Sequence, residues 1–200
     1  MKRFLALSAL ALGISVFALN STDAGPIVKS GNASARGGNG GNAEGWFSKA
    51  GNGGFAGAAA GNIKSKVFFS SVVNSGNATA IGGNGGNAKG IFSQAGNGGS
   101  AQAFGGNITS SGFLSIVSGS GNATAIGGRG GNASGIFSKA GNGGDALAQG
   151  GNVSSSGLFS SVRNSGNATA IGGNGGNASG FGSQAGNGGS AVAIGGNIST

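Results

Sequence analysis

The sequence predicts an all-β repeat fold, a β-solenoid, on three observations. Four near-copies of one 45-residue unit fill residues 30–200, opening at Ser30, Ser75, Ser120 and Ser165 without insertion or deletion. Within a copy, Gly-Asn pairs recur every ten residues, and short stretches between them alternate small and larger side chains with a period of two. A fixed period is typical of repeat architectures, and strict alternation over about five residues is typical of a strand.

The chain divides into a leader and a repeat domain. Residues 1–24 have the basic start and apolar run of a signal peptide. The apolar run is shorter than the roughly 20 residues that a membrane-spanning helix needs, so we expect cleavage and no membrane span after signal removal. Residues 25–29 form a short lead. The repeat domain, 30–200, contains the copies 30–74, 75–119, 120–164 and 165–200.

Each predicted strand has one face of alanines. In residues 77–81, Asn-Ala-Thr-Ala-Ile, the alanines alternate with larger side chains, and residues 100–104 and 190–194 repeat the pattern. Small alanines on this face let two sheets, or two turns of one coil, approach closely. Stacking at about 4.8 Å would align like residues into ladders. Two such ladders are Asn77, Asn122 and Asn167, and Thr79, Thr124 and Thr169.

Asparagine–glycine pairs between the strands predict tight turns, because glycine adopts positive φ freely and asparagine tolerates it. Turns every ten residues and strands of five or six residues predict about two rungs of the solenoid in each 45-residue copy. The pairs are Asn39-Gly40, Asn84-Gly85, Asn174-Gly175, Asn52-Gly53, Asn97-Gly98, Asn142-Gly143 and Asn187-Gly188.

A fifteen-residue segment is the most hydrophobic part of each copy, and a second apolar set follows a glycine earlier in the copy. We expect both sets to stack between copies and to close the core of the solenoid. Their high β-propensity and low charge would favour sheet-to-sheet assembly if they were exposed at a chain end. The sets are Phe68-Phe69, Phe113-Leu114 and Leu158-Phe159, and Trp46-Phe47, Ile91-Phe92 and Ile136-Phe137.

Glycine makes up 50 of the 200 residues and leaves two alternative folds open. Runs such as 82–86 suit polyglycine-II-like helices, which have three residues per turn and form bundles through backbone hydrogen bonds. A largely disordered chain is the other alternative, because glycine loses much conformational entropy on folding. Apolar residues at fixed repeat positions favour the β-solenoid over both.

The side-chain inventory argues against an enzyme. The chain has no cysteine and no histidine, which removes the usual nucleophile–base pairs and most transition-metal ligands. After the signal segment, the only side-chain carboxylates are Glu44 and Asp145, in different parts of their copies. Glycine-rich calcium-binding coils need an aspartate in every repeat. We therefore expect no enzyme activity, no catalytic residue, no cofactor and no metal.

The basic charge is spread along the chain. The net charge is +8, and removal of Lys2, Arg3 and Asp23 with the signal leaves nine basic and two acidic side chains. Because the cations form no run, we interpret them as a source of solubility and of weak attraction to anionic cell-wall polysaccharide. A secreted location argues against nucleic acid as a partner.

After the signal segment, nine asparagines stand in the Asn-x-Ser/Thr pattern of N-glycosylation acceptors. In a eukaryotic secreted protein they would be candidate modification sites. The same pattern also arises where a Gly-Asn pair is simply followed by Ala and Ser or Thr, and both interpretations stay open. The candidates are Asn32, Asn77, Asn107, Asn122, Asn132, Asn152, Asn167, Asn177 and Asn197.

The GGNGGN-type runs within residues 30–200 resemble those of secreted glycine-rich repeat proteins of cell walls and microbial surfaces. The mycobacterial glycine-rich surface proteins are similar in these runs, whereas the signal segment is unlike their N-terminal domain. The resemblance implies a structural or surface role and carries over no site residues.

We therefore expect a secreted, glycine-rich structural protein of the cell wall, extracellular matrix or surface, whose β repeats stack and self-associate. The first alternative is a secreted adhesin or host-interaction factor that uses the repeated face. A second alternative is an ice-binding protein, since a regular ladder of Thr and Asn matches the requirements of an ice lattice.

Overall fold

The computed structural model describes residues 16–17, 21–22, 30–66 and 68–200, which form strands and no helix. The all-β repeat class is thus confirmed, while most of the expected signal segment, 1–24, lies outside the described residues. The strands are β1 (Val16–Phe17), β2 (Ser21–Thr22), β3 (Ala33–Arg36), β4 (Ala43–Glu44), β5 (Ala56–Ala59), β6 (Ile63–Ser65), β7 (Phe69–Val73), β8 (Ala78–Ile81), β9 (Ala88–Lys89), β10 (Ala101–Phe104), β11 (Ile108–Ser110), β12 (Leu114–Ser118), β13 (Ala123–Ile126), β14 (Ala133–Ser134), β15 (Ala146–Gln149), β16 (Val153–Ser155), β17 (Ser161–Arg163), β18 (Ala168–Ile171), β19 (Ala178–Ser179), β20 (Ala191–Ile194) and β21 (Ile198–Ser199).

One 45-residue copy makes one rung of the stack. Every parallel strand pair between copies joins equivalent residues, as in the ladder Thr79, Thr124 and Thr169. The predicted threonine ladder is therefore confirmed, and the prediction of about two rungs per copy is wrong. Below the first copy, β1 and β2 pair with β5 and β6.

Each rung is a flat circuit of two layers. In one circuit, from the end of the first copy into the second, the chain runs outward through β7, β8 and β9, turns near residues 90–92, and runs back through β10 and β11. A second turn near 111–113 starts the next rung. The outgoing layer contains the sheets β17-β12-β7, β18-β13-β8-β3 and β19-β14-β9-β4, and the return layer contains β1-β5-β10-β15-β20 and β2-β6-β11-β16-β21.

The asparagine–glycine pairs do not form the predicted turns. Residues 82–87 join β8 to β9 as an extended segment without a left-handed φ, and the chain reverses instead at Gly90 (φ 140°) and Phe92 (φ 54°). Because the chain keeps its direction through the glycine runs, one circuit uses all 45 residues. This is why a copy supplies one rung rather than two.

Backbone amides in the Gly-Gly-Asn triplets bond in three directions. The first glycine donates to the next rung, the second donates to the opposite layer, and the asparagine amide donates to an asparagine side chain in the preceding rung. In the second copy these bonds are Gly82 N–H to Ile126 O (2.8 Å), Gly83 N–H to Gly54 O (2.9 Å) and Asn84 N–H to Asn39 Oδ1 (2.9 Å). The hydrogen-bond pattern therefore repeats every three residues.

Steric overlap excludes any residue with a Cβ, and so requires glycine, at two positions of each triplet. A Cβ on Gly82 would overlap the carbonyl oxygen of Gly99 in the opposite layer. A Cβ on Gly83 would overlap the carbonyl oxygen of Gly38 in the preceding rung. The third residue, Asn84, is exposed, so only this position has room for a side chain.

Hydrogen bonds between the layers run continuously along the stack. Return-layer glycines donate to the outgoing layer of their own rung, and outgoing-layer glycines donate to the return layer of the preceding rung. One such column connects Gly38, Gly54, Gly83, Gly99, Gly128, Gly144, Gly173 and Gly189, with N···O distances of 2.7–2.9 Å. A second column connects Gly41, Gly51, Gly86, Gly96, Gly131, Gly141, Gly176 and Gly186.

The core between the layers consists mainly of alanine. Ala78, Ala80, Ala101 and Ala103 belong to a buried cluster of alanines that continues through the stack, so the predicted alanine face is confirmed. Methyl groups fit here because the adjacent glycine columns hold the two backbones close together. Near the second turn the core changes to larger side chains, Ile63, Val72, Ile108, Val117 and Val153.

Aromatic side chains do not close the core, which contradicts the prediction from the two apolar sets. Trp46 and every phenylalanine between residues 30 and 200 are at least 37% exposed. The two layers are too close for aromatic rings, so these side chains lie at the turns and on the outer faces.

We expect Gly131→Ala to lower the free energy of unfolding by about 2–3 kcal/mol, because its Cβ would overlap the Gly86 carbonyl oxygen. The matched control is Gly41→Ala, which occupies the same repeat position but has no atom within 4 Å of the added Cβ. Denaturant unfolding measures both variants. Equal destabilisation by the two substitutions would contradict the role assigned to close approach between rungs.

Candidate functional site

The outer face of the outgoing layer, here called the outgoing face, is highly regular. Equivalent positions in successive copies carry the same polar or β-branched side chain, with few exceptions. The asparagines are exposed, and the threonines of β8 and β13 are partly buried. Its ladders from the second copy onward are Asn77/Asn122/Asn167, Thr79/Thr124/Thr169, Ile81/Ile126/Ile171, Asn84/Arg129/Asn174 and Asn87/Asn132/Asn177.

The outer face of the return layer, here called the return face, varies from copy to copy. One outward position of its central sheet carries Gly57, Gln102, Leu147 and Val192, and the next carries Ala59, Phe104, Gln149 and Ile194. The backbone register is the same as in the outgoing layer, so this variation is not a structural requirement of stacking. A partner with a regular repeat would therefore fit the outgoing face better than the return face.

Asparagine ladders hold successive rungs together at the surface. The Oδ1 atom of Asn77 accepts the backbone amide of Asn122 at 2.9 Å, and Asn122 Oδ1 accepts that of Asn167 at 2.8 Å. This confirms the predicted asparagine ladder. Asp145 has the same role, since its Oδ1 accepts the Ser190 amide at 2.8 Å. The ladder thus requires a side-chain oxygen at this reach rather than asparagine alone.

The first aromatic edge lies at the turn between the outgoing and return layers. The rings of Phe47, Phe92 and Phe137 stack with centroid separations of 5.2 and 5.3 Å. Phe181 meets Phe137 edge-on at 5.8 Å. Trp46 lies beside this stack and is 74% exposed.

The three stacked phenylalanines have left-handed backbone conformations. Their φ angles are 54°, 54° and 51°, which is unusual for a bulky side chain. In the fourth copy the equivalent residue is Gly182, with φ 66°. Glycine can therefore adopt the backbone conformation that this position needs. Where the position carries phenylalanine instead, the rings of successive rungs stack on each other.

The second aromatic edge, defined by Phe68, Phe69, Phe113, Leu114, Leu158 and Phe159, lies at the opposite turn. Phe68 stacks on Phe113 at 4.8 Å and meets Phe69 edge-on at 4.9 Å. Phe159 meets Phe113 edge-on at 5.7 Å. These contacts join the rings into one exposed apolar ridge across three rungs.

Charged side chains concentrate near the two edges. Lys49, Lys89 and Lys139 lie near the first aromatic edge together with Glu44. Lys64, Lys66 and Arg163 lie near the second aromatic edge, and no side-chain carboxylate among the described residues accompanies them. Between the two edges, Arg36 and Arg129 lie on the outgoing face and Asp145 lies on the return face.

The candidate glycosylation acceptors fall into three ladders. Asn32, Asn77, Asn122 and Asn167 form one, Asn132 and Asn177 belong to a second, and Asn107, Asn152 and Asn197 form a third. Neighbouring acceptors are therefore one rung apart, about 4.8 Å along the stack. Glycosylation at these residues stays a prediction.

The structure brings together no cluster of three or more His, Cys, Asp or Glu side chains within the residues that it describes. Glu44 and Asp145 lie in different layers, at the first aromatic edge and on the return face respectively. Among the described residues, no helix has the length and apolarity needed to cross a membrane.

Sequence reasoning missed the exposure of both aromatic edges and the difference between the two faces. A signal for the first was present, because copy four has Gly-Phe-Gly where the other copies have Gly-Trp-Phe or Gly-Ile-Phe. A position that alternates between glycine and phenylalanine is better explained by a turn than by a core. The difference between the faces required the layer assignment of each strand.

Comparison with known proteins gives little further information. No family model and no curated protein matches the chain. Among solved structures, the springtail antifreeze protein from Granisotoma rainieri, a bundle of nine polyproline type II helices, is similar at 20% identity, covering 92% of this chain and 94% of that chain. The TM-score is 0.29, which carries no argument about fold or function.

We expect Asn122→Ala to lower the free energy of unfolding by about 1 kcal/mol, because the Asn167 amide loses its acceptor. Asn122→Asp keeps an oxygen at the same reach, as Asp145 does, and should change stability by less than about 0.5 kcal/mol. Urea unfolding of the two variants measures the difference. An aspartate variant as unstable as the alanine variant would exclude a ladder based on the side-chain oxygen.

Proposed function

We propose that this chain is a secreted structural protein whose rungs stack on those of other molecules to build wall, matrix or surface material. The observation that carries the proposal is the self-complementary edge of a rung. At each junction the earlier copy donates backbone amides, such as Ala123 N–H to Asn167 O, and accepts amides through its asparagine side chains. The upper edge of any copy therefore fits the lower edge of any other.

The outgoing-layer edges of the described stack have the groups that such pairing needs, and removal of residues 1–24 with the signal would also free the lower edges of β5 and β6, which β1 and β2 occupy here. The backbone amide of Ala123 donates to the next copy. In a parallel ladder alternate residues bond to opposite neighbours, so the Ala125 amide also points to the next copy and the Thr124 amide points to the preceding one. The equivalent residues Ala168 and Ala170 direct their amides away from the third copy. An edge strand with free amides and carbonyls is a ready template for another chain.

We also infer that the glycine runs are polyglycine-II-like segments inserted between short β-strands. The three-residue period of their hydrogen bonds supports this inference, since three residues per turn is the repeat of that helix. The β-solenoid and the polyglycine bundle would then be two parts of one fold. Every rung is held by backbone bonds, which suits a material assembled from many copies.

Secretion, a location in the wall or extracellular space, and attraction to anionic wall polysaccharide remain parts of this proposal. The basic side chains near the first aromatic edge, Lys49, Lys89 and Lys139, and the expected signal peptide support them. An adhesin or host-interaction factor is the alternative. Pull-down against wall polysaccharides and host surface extracts distinguishes the two, because a structural protein should bind itself in preference to either.

We expect the purified mature chain to form fibres with a 4.7–4.8 Å meridional reflection, the spacing of stacked strands. Ala170→Pro should block the upper edge, and Ser34→Pro should block the lower edge, because proline removes one edge amide and adds bulk. Each variant alone should stay monomeric. An equimolar mixture should form dimers, since each variant retains one complementary free edge.

Sedimentation velocity and fibre diffraction measure these outcomes. Fibres formed by either proline variant alone would exclude head-to-tail stacking of rungs. A wild-type chain that stays monomeric and gives no strand reflection would refute the structural function.

A second candidate function is ice binding by the outgoing face, which is regular and carries only Arg36 and Arg129 as charges among its central ladders. We expect Thr79→Lys with Thr124→Lys to reduce thermal hysteresis, whereas Gln102→Lys with Leu147→Lys on the return face should not. The two pairs lie on the same rungs and add the same number of cations. No thermal hysteresis in the wild-type chain would exclude this candidate.

A further inference from the structure

The second aromatic edge combines contiguous exposed apolar side chains with positive charge. Phe69, Leu158 and Phe159 are 66%, 69% and 75% exposed, and Phe68 is 58% exposed. Direct ring contacts connect Phe68, Phe69, Phe113 and Phe159. A contiguous apolar patch of this kind on a protein surface is typical of an interaction site.

The side-chain charge at this edge has one sign. Lys66 is exposed at the turn, Lys64 is exposed on the adjoining return strand, and Arg163 is exposed on the adjoining outgoing strand. Among the described residues, the side-chain carboxylate in the same layer as Lys64 is Asp145. It lies nine residues from Ser154, the register equivalent of Lys64, and so roughly 30 Å away along the strand direction. Glu44 belongs to the first aromatic edge.

Two other kinds of occupant fit this edge poorly. A second copy docked through the same edge would bring the three cations of each molecule together without compensating carboxylates. A polysaccharide stacks best on broad free ring faces, whereas one face of Phe68 and one face of Phe113 cover each other, 7° from parallel. An apolar ridge flanked by cationic side chains instead matches a surface with an apolar interior and anionic groups above it.

We propose that the second aromatic edge docks onto an anionic lipid surface. The exposed ends of the phenylalanine and leucine side chains enter the boundary between headgroups and acyl chains, and the lysine and arginine side chains extend to the lipid phosphates. The stack axis then lies parallel to the membrane plane, since the ridge crosses successive rungs. This inference is independent of self-assembly, because one molecule contains the complete edge.

Vesicle sedimentation of the full chain tests the charge requirement. The variant Lys64→Gln/Lys66→Gln/Arg163→Gln should bind phosphatidylcholine vesicles containing phosphatidylglycerol about 100-fold more weakly than wild type. The matched control, Lys49→Gln/Lys89→Gln/Lys139→Gln, removes the same charge from the first aromatic edge and should lose less than about fivefold. Equal losses in both variants would overturn the proposal, because net charge alone would then explain binding.

A matched pair of ring variants tests the apolar requirement. Phe68→Ser/Phe113→Ser/Phe159→Ser should abolish vesicle binding, and Phe47→Ser/Phe92→Ser/Phe137→Ser should leave it unchanged. Far-UV circular dichroism checks that each variant keeps its strands. Loss of binding only in the first-edge variant would overturn the proposal.

Tryptophan fluorescence identifies the edge that inserts. Trp46 is the single tryptophan and lies at the first aromatic edge, so its emission should not shift on addition of anionic vesicles. The variant Trp46→Phe/Phe113→Trp should show a blue shift. A blue shift from Trp46, or a wild-type chain that dimerises through the second edge and ignores vesicles, would overturn the proposal.

Discussion

This structure depends on one constraint, the close approach of each glycine-run segment to three neighbouring backbone segments. A glycine-run segment bonds to the rung above, to the rung below and to the opposite layer, as Gly82, Asn84 and Gly83 do. Two of these directions leave no space for a Cβ. The Gly-Gly-Asn sequence follows directly, because only the third position faces outward and can carry the side-chain oxygen that completes the bonding.

These backbone hydrogen bonds allow the chain to fold without the disulfides or the large apolar core on which small domains usually depend. It has no cysteine for disulfides, and alanines fill most of the space between its layers. Burying an alanine methyl stabilises less than burying a leucine or phenylalanine side chain. Satisfied backbone groups therefore have a larger share in stability here, and the aromatic side chains are left at the edges and on the outer faces, where they are available for interaction.

Sequence reasoning predicted the class, the copy register, the alanine face and the asparagine and threonine ladders, because period and alternation are local properties. It failed at the Asn39-Gly40 type of pair, since the same dipeptide suits a tight turn and an extended triplet, and the choice depends on neighbouring rungs. It also placed Phe68 and Phe113 in the core. Their exposure follows from a layer spacing set by glycines distant in sequence, which no local pattern contains.

The most direct test of one rung per copy is disulfide formation, which the absence of native cysteine makes clean. Thr79 and Thr124 are register partners in adjacent strands, within the Cα range of about 4.4–6.8 Å that a disulfide spans. Oxidised Thr79→Cys/Thr124→Cys should cross-link within one molecule, and Thr79→Cys/Gln102→Cys, whose sites lie on opposite faces, should not. Cross-linking of the second pair but not the first would contradict the account.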